Sequence, residues 1–329
     1  MNITVLGAGA WGTALAISLA RHHQVHLWGR DARHMTELER LRENQRYLPA
    51  NAIPPAIRLG ADLDAALAGT QLILCVVPTS ALRDILRSLA TAAPGAPVLW
   101  ACKGFEKNTG KLPHQIVAAE LGDSVRNGVL SGPSFAQEVA DGKPAALTLA
   151  SSDAKFAHDL ARELNSHRLR VYSSSDVAGV ELGGAIKNVI AIAAGISDGL
   201  GLGNNARAAL ITRGLAETTR LGLKLGGQLE TFMGLTGLGD LVLTTTGDLS
   251  RNRRVGLGLA RGESIATILE QLGHVAEGVS TAPEVARIAA SLGVEMPITN
   301  AVCEVLAGQR SAAAAVDALM RRDPKAELS

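Results

Sequence analysis

Lys187 stands in "VELGGAIKNVIA", residues 180–191, a stretch with one other charge and a helical texture. On a helix it lies one turn after Gly183 and Gly184. Two glycines inside a helix cost about 1 kcal/mol each relative to alanine. They leave room beside the ammonium either for a small substrate or for a close helix–helix contact. A lysine so placed is a candidate general acid and base. Lys103, in "WACKGFEKNTG", follows an apolar run that reads as a strand, so it falls at a sheet edge where ligands bind. Two neighbouring ammonium groups would lower each other's pKa and bring it toward a neutral working pH. "LSGPSFAQEVA" supplies Gly132, Ser134 and backbone N–H groups for an anionic or hydroxylated substrate. "GLGDLVLTTTGDLSRNRRVG" supplies Asp240 and then Ser250, Arg251 and Asn252. A hydroxyl, a guanidinium and an amide in succession suit a phosphate, although the same arginines could form a solvated basic turn.

The opening stretch adds a second kind of chemistry. "VLGAGAWG" contains Gly7-x-Gly9-x-x-Gly12 between a β-branched run and a helix-prone segment. Gly7 permits a tight turn, Gly9 lets the backbone approach a pyrophosphate, and Gly12 lets the helix pack on the strand. The second strand ends in "VHLWGRD", with Arg30 and Asp31 where an acid would meet the ribose of NAD. Arg30 can meet a 2′-phosphate. NADP(H) is therefore the favoured cofactor, with NAD(H) also accepted through Asp31.

These groups need a scaffold that brings strand edges and helices together. "NITVLG", "QVHLWGR", "TQLILCVVPT", "APVLWACKG", "RNGVLSGPS" and "PAALTLASS" read as strands, with helical segments between them. The charged "DARHMTELERLRENQRY" reads as helix, broken by Pro49, Pro54 and Pro55. Strands alternating with helices predict an α/β fold, a doubly wound Rossmann-type sheet. Beyond "LRVYSSSD" only helical segments follow, and the serine run with Asp176 suits a helix N-cap. The expected division is a dinucleotide-binding domain at 1–175 and an all-α C-terminal substrate domain at 176–329. The last residues, "DPKAELS", are expected to fray.

Composition narrows the classes. Hydrophobic residues make up 47% and aromatics only 3%, so alanine, leucine and glycine fill the interior and favour closely packed helices. Lys+Arg is 32 against Asp+Glu 31, which leaves no global basic field for nucleic acid. Cys75, Cys102 and Cys303 have no paired or metal-like spacing and suit a reducing compartment. "MNITV" lacks the basic start of a secretory signal, and no run suggests membrane insertion. The expectation is a soluble cytoplasmic protein. Oligomeric state is not fixed, and a homodimer is allowed.

Taken in order, "GAGAWGTALA", "ACKGFE…TG", "LSGPSFAQEVA", "ELGGAIKNVIAIAAGISDGLGLGNNARAALITRG", "GLGDLVLTTT…SRNRR" and "VAEG" resemble the bacterial NAD(P)-dependent glycerol-3-phosphate dehydrogenase family over nearly the whole chain. The resemblance implies reversible reduction of dihydroxyacetone phosphate to sn-glycerol 3-phosphate, the backbone for glycerophospholipid synthesis. It implies Lys187 as proton donor and acceptor, and Lys103 touching substrate and cofactor. It implies substrate contacts from Gly132, Ser134, Asp240, Ser250, Arg251 and Asn252. On the cofactor side it implies Gly7, Gly9, Trp11, Gly12, Arg30, Tyr47, Ala136, Arg251, Val275 and Glu277. Two rival readings are a hydroxyacid or sugar-nucleotide dehydrogenase of the same plan, and an NADP(H) sensor without turnover.

Overall fold

The computed structural model describes residues 1–122, 124–273 and 275–323. The stretch 324–329, expected to fray, lies outside the described residues. Ten strands run as β1 (Asn2–Leu6), β2 (Gln24–Trp28), β3 (Glu43–Asn44), β4 (Leu48–Ala52), β5 (Arg58–Gly60), β6 (Leu72–Cys75), β7 (Val98–Trp100), β8 (Asn127–Ser131), β9 (Ala145–Ala150) and β10 (Leu169–Ser174). Between and around them lie α1 (Ala10–Leu19), α2 (Ala32–Leu41), α3 (Leu63–Leu67), α4 (Thr79–Ala92), α5 (Pro113–Leu121), α6 (Ala136–Ala140) and α7 (Ala154–Leu164).

The main sheet has the order β10-β9-β8-β7-β6-β1-β2-β5. Strand order reverses at β1, whose neighbours are β2 and β6, both parallel to it. A reversal of this kind opens a crevice at the carboxyl ends of the strands, where α/β proteins bind ligands. β6, β7 and β8 continue in parallel, so the loops after β1, β7 and β8 emerge at that same edge. Those loops carry Gly7, Lys103 and Gly132. The strands are apolar along their length because helices cover both faces; Ile3, Val5, Ile73, Leu99 and Leu149 are fully buried.

Two local features depart from the sequence reading. The helix expected to run through "RLRENQRY" stops at Leu41, because Arg42 adopts a left-handed conformation (φ 51°) and ends it. A short antiparallel hairpin, β3–β4, follows. Its buried Asn44 donates to Ala8 O (3.0 Å) and Thr13 Oγ1 (2.8 Å), so the hairpin braces the glycine turn from behind. The sheet is also not wholly parallel: β9 runs antiparallel to β8, with Leu130 opposite Leu149.

Helices make up the remainder: α8 (Val177–Gly199), α9 (Gly203–Lys224), α10 (Leu229–Met233), a π-helical turn at Leu235–Gly239, α11 (Asp240–Thr246), α12 (Arg251–Ala260), α13 (Ile265–Leu272), α14 (Glu277–Ser291), α15 (Pro297–Leu306) and α16 (Ala312–Met320). α8 is the axis of this half. Asp176 caps it, accepting from Gly179 N (2.8 Å) and Gln228 N (2.8 Å). α8 is long and apolar enough to cross a membrane, yet 89% of its apolar window is buried inside the protein. Its neighbours α9, α11, α12 and α14 surround it, and that enclosure accounts for an apolar helix with no exposed face.

Candidate active site

The turn after β1 has the shape its glycines predict. Gly7 has φ +120°, and a Cβ there would lie 2.5 Å from Val76 O. A Cβ on Gly12 would lie 1.9 Å from Gly7 O, so only glycine lets α1 close onto the turn. Gly9 differs: nothing lies within 4 Å of its Cβ position. It is the N-cap of α1, in extended conformation with no side-chain cap bond. Free backbone N–H groups at an open helix N-terminus fit a pyrophosphate. Trp11, on the first turn of α1, is half-buried against the sheet core.

At the end of β2, Arg30 is exposed. Asp31 is occupied: its Oδ1 accepts from Arg33 N (3.0 Å) and His34 N (3.2 Å), capping α2. Those amides hold its carboxyl below the usual range. Both bonds fall on Oδ1, so Oδ2 is left for a ribose hydroxyl and the Asp31 route to NAD(H) stays open. Tyr47 follows on the hairpin, with the His34 ring edge-on at 5.3 Å and the Arg46 guanidinium 5.0 Å from its ring centre.

The reacting end is built from both halves of the chain. Lys103 leaves β7 and donates to Asp240 Oδ2 (2.7 Å) and Gly132 O (3.3 Å). Lys187, on α8, donates to Asp240 Oδ1 and to Thr244 Oγ1 (2.9 Å). One fully buried carboxylate thus holds two ammonium groups at a single point. Burial, and then the Lys103 charge, push Lys187 down; Asp240 pulls it back up, and it rests at about 7. Asp240 opens α11 directly after the π-helical turn, which supplies the sharp local geometry.

The paired glycines before Lys187 divide the two readings between them. A Cβ on Gly183 would lie 2.4 Å from Thr236 O, so that glycine serves close packing on the π-helical turn. A Cβ on Gly184 would meet Ser131 Oγ at 2.9 Å and the Lys103 stem at 3.5 Å, so that glycine serves the site.

The loop after β8 holds Gly132, with φ +136°, and Ser134, whose hydroxyl donates to Gly132 O (3.0 Å). Ala136 begins the short α6 and packs on the sheet core. Ser250 caps α12, accepting from Arg253 N (3.2 Å). Asn252 is more committed than its sequence context suggests. It donates to Asn188 Oδ1 (2.9 Å) and accepts from Gly278 N (3.0 Å), joining α12, α8 and α14. One amide hydrogen remains for a ligand. Arg253 is tied to Asp198 (2.8 Å) and Asp248 (2.9 Å), so it is not part of a free basic turn. Arg251 makes no hydrogen bond or ion pair among the described residues, although it feels the Glu277 charge; burial lowers its pKa.

Glu277 opens α14, and burial pushes it up to about 7 against the charges of Lys103, Lys187 and Arg251. It therefore shares the field of the lysine pair. Val275 is 56% exposed beside it. Trp11 lies on α1, Arg30 just past β2 and Tyr47 between β3 and β4, on elements other than those that carry the lysine pair.

Residues 2–157 match the family model of the NAD-dependent glycerol-3-phosphate dehydrogenase N-terminus, and residues 176–317 match that of its C-terminus. The chain belongs to the NAD-dependent glycerol-3-phosphate dehydrogenase family. It is 59% identical to glycerol-3-phosphate dehydrogenase [NAD(P)+] of Nitrosospira multiformis, with both chains fully covered. It is equally identical to the enzyme of that name from Thiobacillus denitrificans, again over the full length of both. The crystal structure of glycerol-3-phosphate dehydrogenase from Coxiella burnetii superposes with a TM-score of 0.94 at 44% identity, covering 98% of this chain and 99% of that one. The Rossmann-type sheet followed by a helical half is thus the family's fold.

Sequence reasoning missed two contributors. Thr244 lies one turn after Asp240 in "DLVLTTT", a spacing that points to it once Asp240 is named. Asn44, which braces the glycine turn, had no local signal.

Proposed function

We propose that this chain interconverts dihydroxyacetone phosphate and sn-glycerol 3-phosphate with Lys187 as the acid and base. It is an NAD(P)-dependent dehydrogenase acting on a CH–OH group. The observation that carries the mechanism is the shared carboxylate, which holds Lys187 beside Lys103 with its pKa at about 7. The open Gly9 position and the bare α1 N-terminus fit a dinucleotide. Bound there, the nicotinamide supplies the hydride for the ketone carbon. As the carbonyl oxygen gains negative charge, protonated Lys187 donates its proton to it, and the Lys103 ammonium stabilises that charge. In reverse, neutral Lys187 takes the alcohol proton. A pKa at the working pH makes both directions accessible.

Arg251, the Ser250 hydroxyl, the α12 N-terminus and the remaining Asn252 hydrogen hold the substrate phosphate. Gly132 and Ser134 line the other side. Binding energy from the phosphate is thereby used to place the ketone. Gly7, Gly9, Gly12, Trp11, Tyr47, Ala136, Val275 and Glu277 contribute to the cofactor site, and Arg30 favours NADP(H) over NAD(H). The two functional halves divide at 175/176. The product supplies glycerophospholipid synthesis, in the cytoplasm, where the three unpaired cysteines stay reduced.

The direct test is Lys187→Ala. It should lower kcat by about 10²–10⁴-fold with unchanged cofactor affinity. Near-normal turnover would reject the acid–base assignment.

We also propose a homodimer. A groove of about 1530 Å³ between α9, α15 and α16 includes none of the candidate site residues. It is larger than the roughly 300–1,000 Å³ typical of small-ligand sites. Leu223 and Met320 are exposed in it, and Arg220 and Lys224 share its rim with Glu295 and Asp323. A patch with both charge signs can pair with its own copy across a two-fold axis. Light scattering of the purified protein decides between dimer and monomer.

A further inference from the structure

We infer that Glu181 is a positioning residue, whose bonds to Trp100 and His114 set the register of α8 against the sheet and so the placement of Lys187 relative to Lys103. The inference rests on the reading of Lys187 as the acid. Glu181 lies in the first half of α8, and its side chain is 1% exposed. Its Oε1 accepts from Trp100 Nε1 (2.7 Å) and His114 N (2.8 Å), while Oε2 meets His114 Nδ1. Trp100 is the fully buried last residue of β7, and His114 stands in the first turn of α5. A carboxylate this deep is tolerated only when hydrogen-bonded, and each of its bonds fixes a direction as well as a distance.

The spacing gives this clamp its consequence. Trp100 and Lys103 are three residues apart on one segment; Glu181 and Gly184 are three apart on α8. The first pair grips the second at two points. The Trp100 indole bonds Glu181, and the Lys103 stem lies over Gly184. Lys187 follows three residues after Gly184. Six residues of helix place Glu181 roughly 9 Å along the axis from Lys187 and about 120° around it. Glu181 therefore does not reach the reacting oxygen and acts only through the frame. If α8 slid or rotated against β7, Lys187 would move while Lys103 stayed, and a displacement of about 1 Å in such a pair reduces rate by up to about a hundredfold.

Trp100→Phe removes one donor and keeps an aromatic ring, though a smaller one that leaves a cavity for the melting temperature to register, Glu181→Ala removes the clamp, and Glu181→Gln keeps an oxygen that accepts from the indole and the His114 amide. Melting temperature, NADPH affinity, kcat, KM and the isotope effect with 4-deuterated NADPH are measured for each, with Lys187→Ala in parallel. The expected result for Trp100→Phe and Glu181→Ala is a kcat lower by about tenfold or more, KM values within about twofold and a larger isotope effect, as hydride transfer becomes more rate-limiting. Glu181→Gln should recover most of the turnover. The inference is overturned if folded Trp100→Phe keeps the wild-type kcat and isotope effect, or if lost activity merely tracks the unfolded fraction. If Glu181→Ala fails to fold, Trp100→Phe alone decides. Lys187→Ala inactive beside a native-like Trp100→Phe rejects this inference and leaves the acid assignment standing; Lys187→Ala active rejects the acid assignment.

Discussion

Asp240→Asn isolates the charge of the shared carboxylate from its shape. Asparagine keeps an oxygen for one ammonium but removes the anion that supports two. In the wild type, burial and Lys103 lower Lys187 while Asp240 raises it, and the balance falls at about 7. Loss of an opposite charge at hydrogen-bond distance removes about one to two pH units of that support. At pH 7 the protonated share of Lys187 would fall from about one half to roughly one tenth or one hundredth. Ketone reduction needs the protonated form, so its rate at pH 7 should drop about five- to fiftyfold, with recovery on acidification. The sign is definite: the reduction profile falls as pH rises through the Lys187 pKa, and the variant's limb lies at lower pH. Alcohol oxidation needs the neutral amine, so its rising limb should move to lower pH as well. Removing the anion beside the buried Lys187 also destabilises the fold, by up to about 3–5 kcal/mol. Activity is therefore normalised to protein that still binds NADPH. The assay is NADPH oxidation from pH 5 to 9 with dihydroxyacetone phosphate well below KM, so that the profile reports the enzyme before the ketone binds. An unmoved limb, or one displaced upward, would refute the argument that Asp240 holds the Lys187 proton.

Arg251→Ala should raise KM for dihydroxyacetone phosphate by about tenfold or more, the loss of one charge-assisted contact, while reduction of an unphosphorylated ketone analogue is unaffected. Equal harm to both substrates would remove Arg251 from the phosphate site. Arg30→Ala should raise KM for NADPH by about tenfold and leave NADH almost unchanged; parallel kinetics with the two cofactors check this, and equal effects would sink the 2′-phosphate assignment. Glu217 is buried on α9 and accepts from Ile298 N (2.6 Å) and Thr299 N (3.2 Å), capping α15 from a neighbouring helix. Burial raises its pKa to about 7, so its stabilising contribution is complete below the unfolded value near 4.5 and is lost as pH rises through about 7. That difference corresponds to on the order of 3 kcal/mol, and Glu217→Gln should flatten the melting temperature between pH 5 and 8; a slope equal to wild type would count against it.

The parts legible in the sequence are those whose physics is local. A glycine turn declares itself because Gly7, Gly9 and Gly12 fall within six residues and Gly12 packs on Gly7 O, although the atom that crowds Gly7 is Val76 O, far along the chain. Alternating apolar runs and helical segments gave the sheet, and the loss of strands after Ser174 gave the helical half. The opaque parts depend on partners far along the chain. Asp240 reaches Lys187 across 53 positions, and Glu181 reaches Trp100 across 81. No window of sequence contains both ends. The β3–β4 hairpin was hidden for a related reason: its charged residues are good helix formers, and tertiary bonds override that preference. The Arg42 guanidinium reaches Pro55 O (2.9 Å) and Ile57 O (3.2 Å), and Asn44 is held by the glycine turn. Gly183 and Gly184 look identical in sequence, and only their neighbours assign one to packing and the other to the site.

The distribution of charge in the site also bears on what the phosphate of the ketone substrate does there. Lys103, Lys187 and Arg251 set three basic groups around the one carboxylate that the two lysines share, Asp240, while burial raises Glu277 to about 7. Burial first, and then the neighbouring Lys103 charge, brings Lys187 down to about 7, so near neutral pH about half of it is deprotonated. In the proposed site, a phosphate on Arg251 and the α12 N-terminus would add negative charge within the same enclosed field. Negative charge raises the pKa of a nearby amine. Substrate binding therefore loads Lys187 with the proton that ketone reduction consumes, at the moment the ketone is in place. The phosphate thus works as a handle and as an electrostatic trigger. A larger ion-pair network around Lys187 would hold its proton more tightly, and a smaller one would leave the buried amine beside Lys103 with no anion to support its charge. One carboxylate shared by two lysines lies between those failures, and it is the arrangement that leaves the proton free to move in either direction.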